Sequence, residues 1–245
     1  MNKAIENYIK NYDMTDKDIH YKYHHSYRVM EKAQMLAKNL SEEDQKLATV
    51  IGLYHDIGRF EQDKLYDSYR DSKKFDHGDY GVDVLFNQGL IKEIPIEEKH
   101  YTVIEKAIKN HNKYKIEDNL TEQELFHTKL IRDADKLDII YALAENIFNK
   151  KELDYEKTEE IREEIKEQFF NKQTIDYSKL KKGVNTNEKL VGLLALIFDL
   201  NFKESFEYIN KNDLLEKINN HLSNKNHYKE YFDYLKDYIK EALKC

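Results

Sequence analysis

Residues 53–59 read Leu53-Tyr54-His55-Asp56-Ile57-Gly58-Arg59, and they close an apolar run that begins at Leu47. An uninterrupted apolar run of this kind predicts a buried helix. In helical steps of four, His55 continues the line of Leu47 and Ile51. The imidazole is therefore expected to face packed structure at the end of this helix.

Asp56 stands on a second helical line, behind Ala48 and Gly52. Because both of these residues are small, we expect another helix to approach closely on this side. Gly58 is expected to end the helix, as glycine often does just beyond a helix C-terminus. A carboxylate beside an imidazole is unfavourable in packed structure unless both are paired. A shared divalent metal ion would satisfy both groups.

The composition favours an all-helical protein. The chain has 245 residues, enough for one sizeable domain or two small ones, and 36% of them are charged. It contains one proline and seven glycines. So few helix-breaking residues favour long helices over a many-turned β fold, and we predict an all-α fold.

Several classes of function are disfavoured by the same composition. The formal net charge of -7 gives no electrostatic footprint for nucleic-acid binding. The only cysteine, Cys245, is the last residue, so no disulfide is expected. The longest apolar run, Leu190 to Phe198, is too short to span a membrane. With no secretion signal visible, we expect a cytoplasmic protein with no membrane partner.

Histidine is the residue type whose distribution bears most on function, since eight of the ten histidines precede residue 128. In the helix predicted from about Tyr21 to Leu40, His25 extends the apolar line of Val29, whereas His24 points to a charged side. The polar segment from Phe60 to Asp76 has no clear helical period and is predicted to be a loop over the site. Four histidines end predicted apolar helical faces: His25, His55, His77 and His111.

A long central helix is predicted from about Glu122 to Lys150, and it carries Asp135 between Ile131 and Ile139. A carboxylate in such a setting needs a cation or several donors. Taken singly, each of these polar residues has an ordinary structural explanation, such as capping of helix carbonyls. Six inward residues on five predicted helices together favour a metal site. Imidazole and carboxylate ligands without cysteine suit Mn, Fe, Co, Ni, Zn or Mg.

The order of these residues resembles the H…HD…D pattern of the HD superfamily of metal-dependent phosphohydrolases. The pattern is carried by three motifs, which are His25-Ser26-Tyr27-Arg28-Val29, Leu53-Tyr54-His55-Asp56-Ile57-Gly58-Arg59 and Asp133-Ala134-Asp135-Lys136-Leu137-Asp138. Two further motifs resemble those of members that hold two metal ions, namely His77-Gly78-Asp79-Tyr80-Gly81 and Asn110-His111-Asn112. The resemblance covers about residues 20 to 145 and leaves the C-terminal hundred residues unassigned.

The resemblance implies an all-helical bundle with a metal centre. We expect an HD-type domain over residues 1–150 and a helical extension over residues 151–245, packed on the same body. Asp56 would bridge the two ions if two are bound, and Asp133 is the rival of Asp135 for the last ligand position. The implied ligands of the first ion are His25, His55, Asp56 and Asp135, and those of the second are Asp56, His77 and His111.

The resemblance also implies hydrolysis of a phosphoester or phosphoanhydride in a small phosphorylated molecule. Asp56, Arg59 and Lys136 are the implied catalytic residues. Asp56 would hold the metal ions, Arg59 would reach a substrate phosphate, and Lys136 is a further candidate for phosphate contact. The two extra histidine motifs resemble the branch that hydrolyses dinucleoside polyphosphates, so a nucleotide or dinucleotide is the expected substrate. Two alternatives stay open, a non-catalytic ligand-binding module and a di-iron oxygenase. The apolar and aromatic C-terminal helices are compatible with a homodimer.

Overall fold

The computed structural model describes residues 2–66, 71–72, 74–147, 159–180, 183–222 and 225–244. The fold is all-α, as the sequence predicts, and extended pairing in these ranges is limited to one isolated bridge between Ser72 and Phe75. Across the same ranges, every helix is too short or too polar to cross a membrane.

Two compact units make up the chain, Met1–Asp135 and Lys136–Cys245. The division falls within a helix, whereas the predicted boundary between residues 150 and 151 lies outside the described residues. The helices that begin in the first unit are α1 (Asn2–Ile9), α2 (Lys17–Ala37), α3 (Glu42–Tyr54), α4 (Ile57–Tyr66), α5 (His77–Val82), α6 (Tyr101–Asn110) and α7 (Glu122–Ala144).

The packing of α2 along α3 forms the centre of the first unit. Asp16 caps the start of α2, accepting hydrogen bonds from two backbone amides, and Ser41 caps α3 by accepting one from the backbone amide of Asp44. The close approach depends on Gly52, because a Cβ there would lie 2.9 Å from the Cα of Met30 in α2. The expectation that this small residue admits a second helix is therefore confirmed.

Gly58 does not end a helix, which corrects the sequence-based expectation. Helix α3 ends at Tyr54, and Gly58 is the second residue of α4, which begins at Ile57. A Cβ on Gly58 would clash with the carbonyl oxygen of His77 and would lie 2.9 Å from the backbone nitrogen of Gly81. Glycine is required here because α4 packs closely on α5.

The predicted loop from Phe60 to Asp76 is also wrong in its first half. Residues up to Tyr66 are helical, and both Phe60 and Gln62 are fully buried. Most residues of this helix after Phe60 are polar and only a narrow face of it is buried, so the sequence shows no clear helical period. Residues 67–70 and 73 of the predicted loop lie outside the described residues.

Helix α7 is buried nearly all round along its second half, as predicted. Leu130, Ala134, Leu137 and Ile140 each expose 2% or less of their surface. The helix ends at Ala144 rather than continuing to the predicted end at Lys150, which is outside the described residues. Because the helix is packed on most sides, a carboxylate that it carries needs a cation or hydrogen-bond donors nearby.

The second unit continues from α7 with helices of its own and an aromatic core. Phe169 packs edge-on against Tyr231, and Phe170 stacks on the same tyrosine. The tyrosines of the last helix thus include core residues, as their helical spacing suggests. The remaining helices are α8 (Glu163–Phe170), α9 (Thr186–Leu194), α10 (Lys203–Lys211), α11 (Leu214–His221) and α12 (Lys225–Lys244).

Candidate metal centre

His55 and Asp56 lie in the turn between α3 and α4, and both side chains are buried. The two helices meet at a sharp junction, so that this dipeptide projects into the interior of the first unit. Four other predicted site residues reach the same place from neighbouring elements: His25 from α2, His77 from the start of α5, His111 from the end of α6 and Asp135 from α7.

The carboxylate of Asp56 stands at the centre of this cluster, and its two oxygens face different histidines. Oδ2 lies 3.4 Å from Nε2 of His25 and 3.7 Å from Nε2 of His55. Oδ1 lies 3.2 Å from Nε2 of His77 and 3.5 Å from Nε2 of His111. One carboxylate therefore joins two sets of ligand atoms.

Asp135 completes the first of these two sets. Its Oδ1 lies 3.2 Å from Nε2 of His25 and 3.7 Å from Nε2 of His55. Its side chain is 21% exposed, so this set is reached from the molecular surface. Asp133, the rival candidate, is fully buried and belongs to neither group of close ligand atoms found among the described residues.

The backbone fixes which ring nitrogen is protonated in two of the histidines. Nδ1 of His55 lies 2.9 Å from the carbonyl oxygen of Gly52, and Nδ1 of His111 lies 2.6 Å from that of Ile108. Because a carbonyl oxygen only accepts, Nδ1 must carry the proton in each ring. In the neutral ring, Nε2 then presents its lone pair to the centre of the cluster.

Asp71 fixes the ring of His77 in the same way. Its carboxylate lies 2.7 Å from Nδ1 of His77 and also accepts a hydrogen bond from the backbone amide of that residue. Burial alone would raise the pKa of Asp71, but His77 and Arg59 outweigh burial and hold that pKa far below its usual range. Sequence reasoning missed Asp71, although this residue lies in the polar segment that was predicted to be a loop over the site.

These groups fit divalent metal ions. Nε2 of His77 and Nε2 of His111 are only 2.9 Å apart, so two lone pairs would face each other without a cation between them. Nε2 of His55 is buried and makes no hydrogen bond within the described part of the chain. Ligand bonds of about 2.0–2.2 Å bring neighbouring ligand atoms to roughly 3 Å from each other. In two groups of described residues, His25–His55–Asp135 and His55–Asp56–His111, all ligand atoms lie within 4.8 Å of one another.

The electrostatics of the cluster favour charged carboxylates at Asp56 and Asp135 and a neutral ring at His111. Burial alone would raise the pKa of Asp56, but Lys22 and His55 outweigh it and hold the pKa well below its usual range. Burial alone would also raise the pKa of Asp135, but the neighbouring rings of His25 and His55 outweigh burial and hold that pKa well below its usual range. Burial lowers the pKa of His111 to about 4, so this ring is neutral near pH 7. These are the protonation states that metal binding requires.

The remaining predicted residues have different surroundings. Nε of Arg59 lies 3.6 Å from Oδ1 of Asp56, and its Nη1 donates to Oε1 of Gln62 at 2.6 Å, so the guanidinium borders the cluster. Lys136, in contrast, forms an ion pair with Asp199 at 2.8 Å. The guanidinium of Arg59 therefore lies beside the cluster, whereas the ammonium of Lys136 is paired with Asp199.

The chain was compared with protein families, curated proteins and solved structures. A family model described as HD domain matches residues 23–140. No curated protein matches the chain, and no solved structure matches it. The matched range contains all of the clustered residues, which are His25, His55, Asp56, His77, His111 and Asp135.

Proposed function

Because the HD domain model matches residues 23–140, this chain belongs to the HD superfamily, and we propose that it is a metal-dependent hydrolase of phosphoester or phosphoanhydride bonds in small molecules. The six clustered residues hold one or two divalent ions in this proposal. His25, His55, Asp56 and Asp135 would hold one ion, and Asp56, His77 and His111 would hold a second.

One observation carries the proposal, namely that the two oxygens of Asp56 face two different pairs of histidines. Lys22 donates to Oδ2 of Asp56, but His55 and His111 direct their Nδ1 protons away from this carboxylate and turn Nε2 towards it. Imidazole lone pairs that point at a carboxylate repel it unless a cation lies between them.

The chemistry then follows from the residues. Divalent ions in such a site supply hydroxide at neutral pH and neutralise the charge of a phosphoryl group. Asp71 holds His77 in the tautomer that binds an ion, and backbone carbonyls do the same for His55 and His111. Arg59 offers a planar fork for a phosphate oxygen at the border of the cluster.

For the substrate we propose a nucleotide or dinucleotide. The two additional histidine motifs, at His77 and His111, support a site that holds two ions, and paired ions suit the several charges of a polyphosphate chain. The acidic net charge of -7 argues against a polymeric nucleic acid as the substrate.

The test is phosphate release from a generic phosphate ester and a panel of nucleotides, with Mn, Co, Ni, Zn or Mg added in turn. We expect turnover by the wild type, and a loss in His55→Gln larger than the roughly 10- to 100-fold typical of losing an outer partner of a ligand. His24→Gln is the matched control, because His24 is exposed on α2 beside His25 and should retain wild-type activity.

Other results would contradict the proposal in distinct ways. Tight metal binding without turnover over the whole panel would indicate a ligand-binding module. Oxygen uptake with an organic substrate, together with bound iron, would indicate an oxygenase. Equal activity in the wild type and in His55→Gln would exclude the cluster as the site of the chemistry.

A further inference from the structure

Lys22 is a charged neighbour of the metal centre that neither the family pattern nor the sequence analysis assigns. It lies on α2, one turn before His25. Its Nζ lies 2.7 Å from Oδ2 of Asp56, and its side chain is 14% exposed. The ammonium group is therefore at the border between the buried cluster and its surroundings.

The oxygen that Lys22 contacts is the one that faces His25 and His55. An ion held by those two histidines and by Asp135 would use the same oxygen of Asp56. Two positive groups cannot both stay at contact distance from one carboxylate oxygen without strong mutual repulsion. Lys22 and the first ion must therefore compete for Oδ2.

Arg59 offers a contrast on the other side of the same carboxylate. Its guanidinium is restrained by hydrogen bonding to Gln62 at 2.6 Å and by Asp71 at 3.5 Å. Lysine has a flexible four-carbon stem and a compact charge, so it can change partners at little cost. Once an ion has taken Oδ2, the Lys22 ammonium can turn to an oxygen of a bound anion.

We propose that Lys22 is a substrate-binding residue whose ammonium exchanges Oδ2 of Asp56 for a non-bridging phosphate oxygen of the substrate. The inference rests on the proposed function and deepens it. Two divalent ions with Lys22 and Arg59 carry six positive charges, and Asp56, Asp71 and Asp135 carry three negative ones. The surplus equals the charge of a phosphate dianion and a hydroxide, so the lysine completes the charge balance of the loaded site.

The experiment compares Lys22→Met with the wild type by calorimetric titration, first with Mn²⁺ and then with inorganic phosphate on the Mn²⁺-loaded protein. We expect the first ion to bind several-fold more tightly in Lys22→Met, because its competitor is gone. We expect phosphate to bind roughly tenfold more weakly, because a charge-assisted hydrogen bond is lost.

Two control variants separate this role from general effects of charge and packing. Lys17→Met removes the same charge from an exposed position on α2 and should leave both affinities unchanged. Lys22→Arg keeps the charge beside Asp56 and should keep the affinity for Mn²⁺ within about twofold of the wild type. Thermal unfolding of each variant verifies that it is folded under the conditions of titration.

The outcomes separate this inference from the proposed function. Weaker or unchanged Mn²⁺ binding in Lys22→Met would overturn the inference, because it would mean that the lysine only stabilises the Asp56 carboxylate. Unchanged phosphate binding would overturn it as well. Both affinities are measured without turnover, so an enzyme that hydrolyses nothing would contradict the proposed function while the affinities still decide the role of Lys22.

Discussion

The choice of ring nitrogen matters at the scale of single residues. His55 and His111 each direct Nδ1 to a backbone carbonyl within their own helix turn, so no additional side chain is needed to orient them. His77 stands at the start of α5, where the preceding turn of helix does not exist. Its Nδ1 therefore depends on a side chain, and Asp71 provides the acceptor.

Removal of the Asp71 carboxylate should weaken the side of the cluster that contains His77. In Asp71→Ala we expect roughly 10- to 100-fold weaker binding of the second ion, because the ring of His77 loses its orientation and its fixed tautomer. Calorimetric titration with Mn²⁺ measures the effect. The first ion, held on the side of His25, should bind with nearly unchanged affinity.

Two control variants distinguish the orientation of His77 from a general effect of net charge on metal affinity. Asp71→Asn keeps an oxygen that can accept the Nδ1 proton, so we expect a smaller loss. Asp79→Ala removes a carboxylate from the same region that pairs with Lys113, and it should not affect either ion. An equal loss in Asp79→Ala would show that net charge, and not the orientation of His77, controls affinity.

The sequence identifies residues at the ends of apolar helical faces better than it identifies the residues that contact and orient their side chains. His25 is buried while its neighbour His24 is exposed, as the helical phase indicates. Lys22 and Asp71 carry no such signal. A lysine between two tyrosines and an aspartate in a polar segment match no site pattern, and only the fold brings them to Asp56 and His77.

At the scale of elements, the junction of α3, α4 and α5 is the part of the fold that sequence reasoning described least well. Gly58 was expected to end a helix, but it allows α4 to pack on the backbone of α5 where His77 begins that helix. A helix-ending glycine and a close-packing glycine look the same in a single sequence. The distinction requires knowledge of which elements are in contact.

Gly58→Ala should therefore be destabilising although alanine has the higher helix propensity. The new Cβ would meet the carbonyl of His77 and the backbone nitrogen of Gly81, neither of which can move without shifting α5. We expect a loss of about 1–3 kcal/mol in the free energy of unfolding, measured by urea titration. Metal affinity should fall as well, because His77 moves with α5.

Gly183→Ala is the matched control for this substitution. Among the described residues, no atom would lie within 4 Å of a Cβ at Gly183, and Gly183 is not one of the positions there with a positive φ angle. We expect a change in stability within about 0.5 kcal/mol, as is usual for surface positions. A Gly58→Ala protein as stable as the wild type would show that α4 and α5 can separate freely.

At the scale of the whole molecule, every residue of the cluster belongs to the unit Met1–Asp135. The second unit has a different basis of stability, an aromatic core and the buried carboxylate of Glu188 paired with Arg162 at 2.7 Å. The helical character of this unit was predictable from its apolar and aromatic spacing. Its role was not, because no residue after Asp138 matches a site motif.

This division of roles predicts where a bound ion stabilises the chain. A ligand that binds only the folded state adds about 2.7 kcal/mol at a hundredfold excess over its Kd, which slows amide exchange by up to ~100-fold wherever exchange requires unfolding of the site. With Mn²⁺ added, hydrogen exchange followed by mass spectrometry should slow more in α3 and α6 than in α12, because the ligand atoms come from the first unit. His55→Gln should show no such gain in either region. Equal slowing in α12 and α3 would contradict the prediction and would mean that the two units open together.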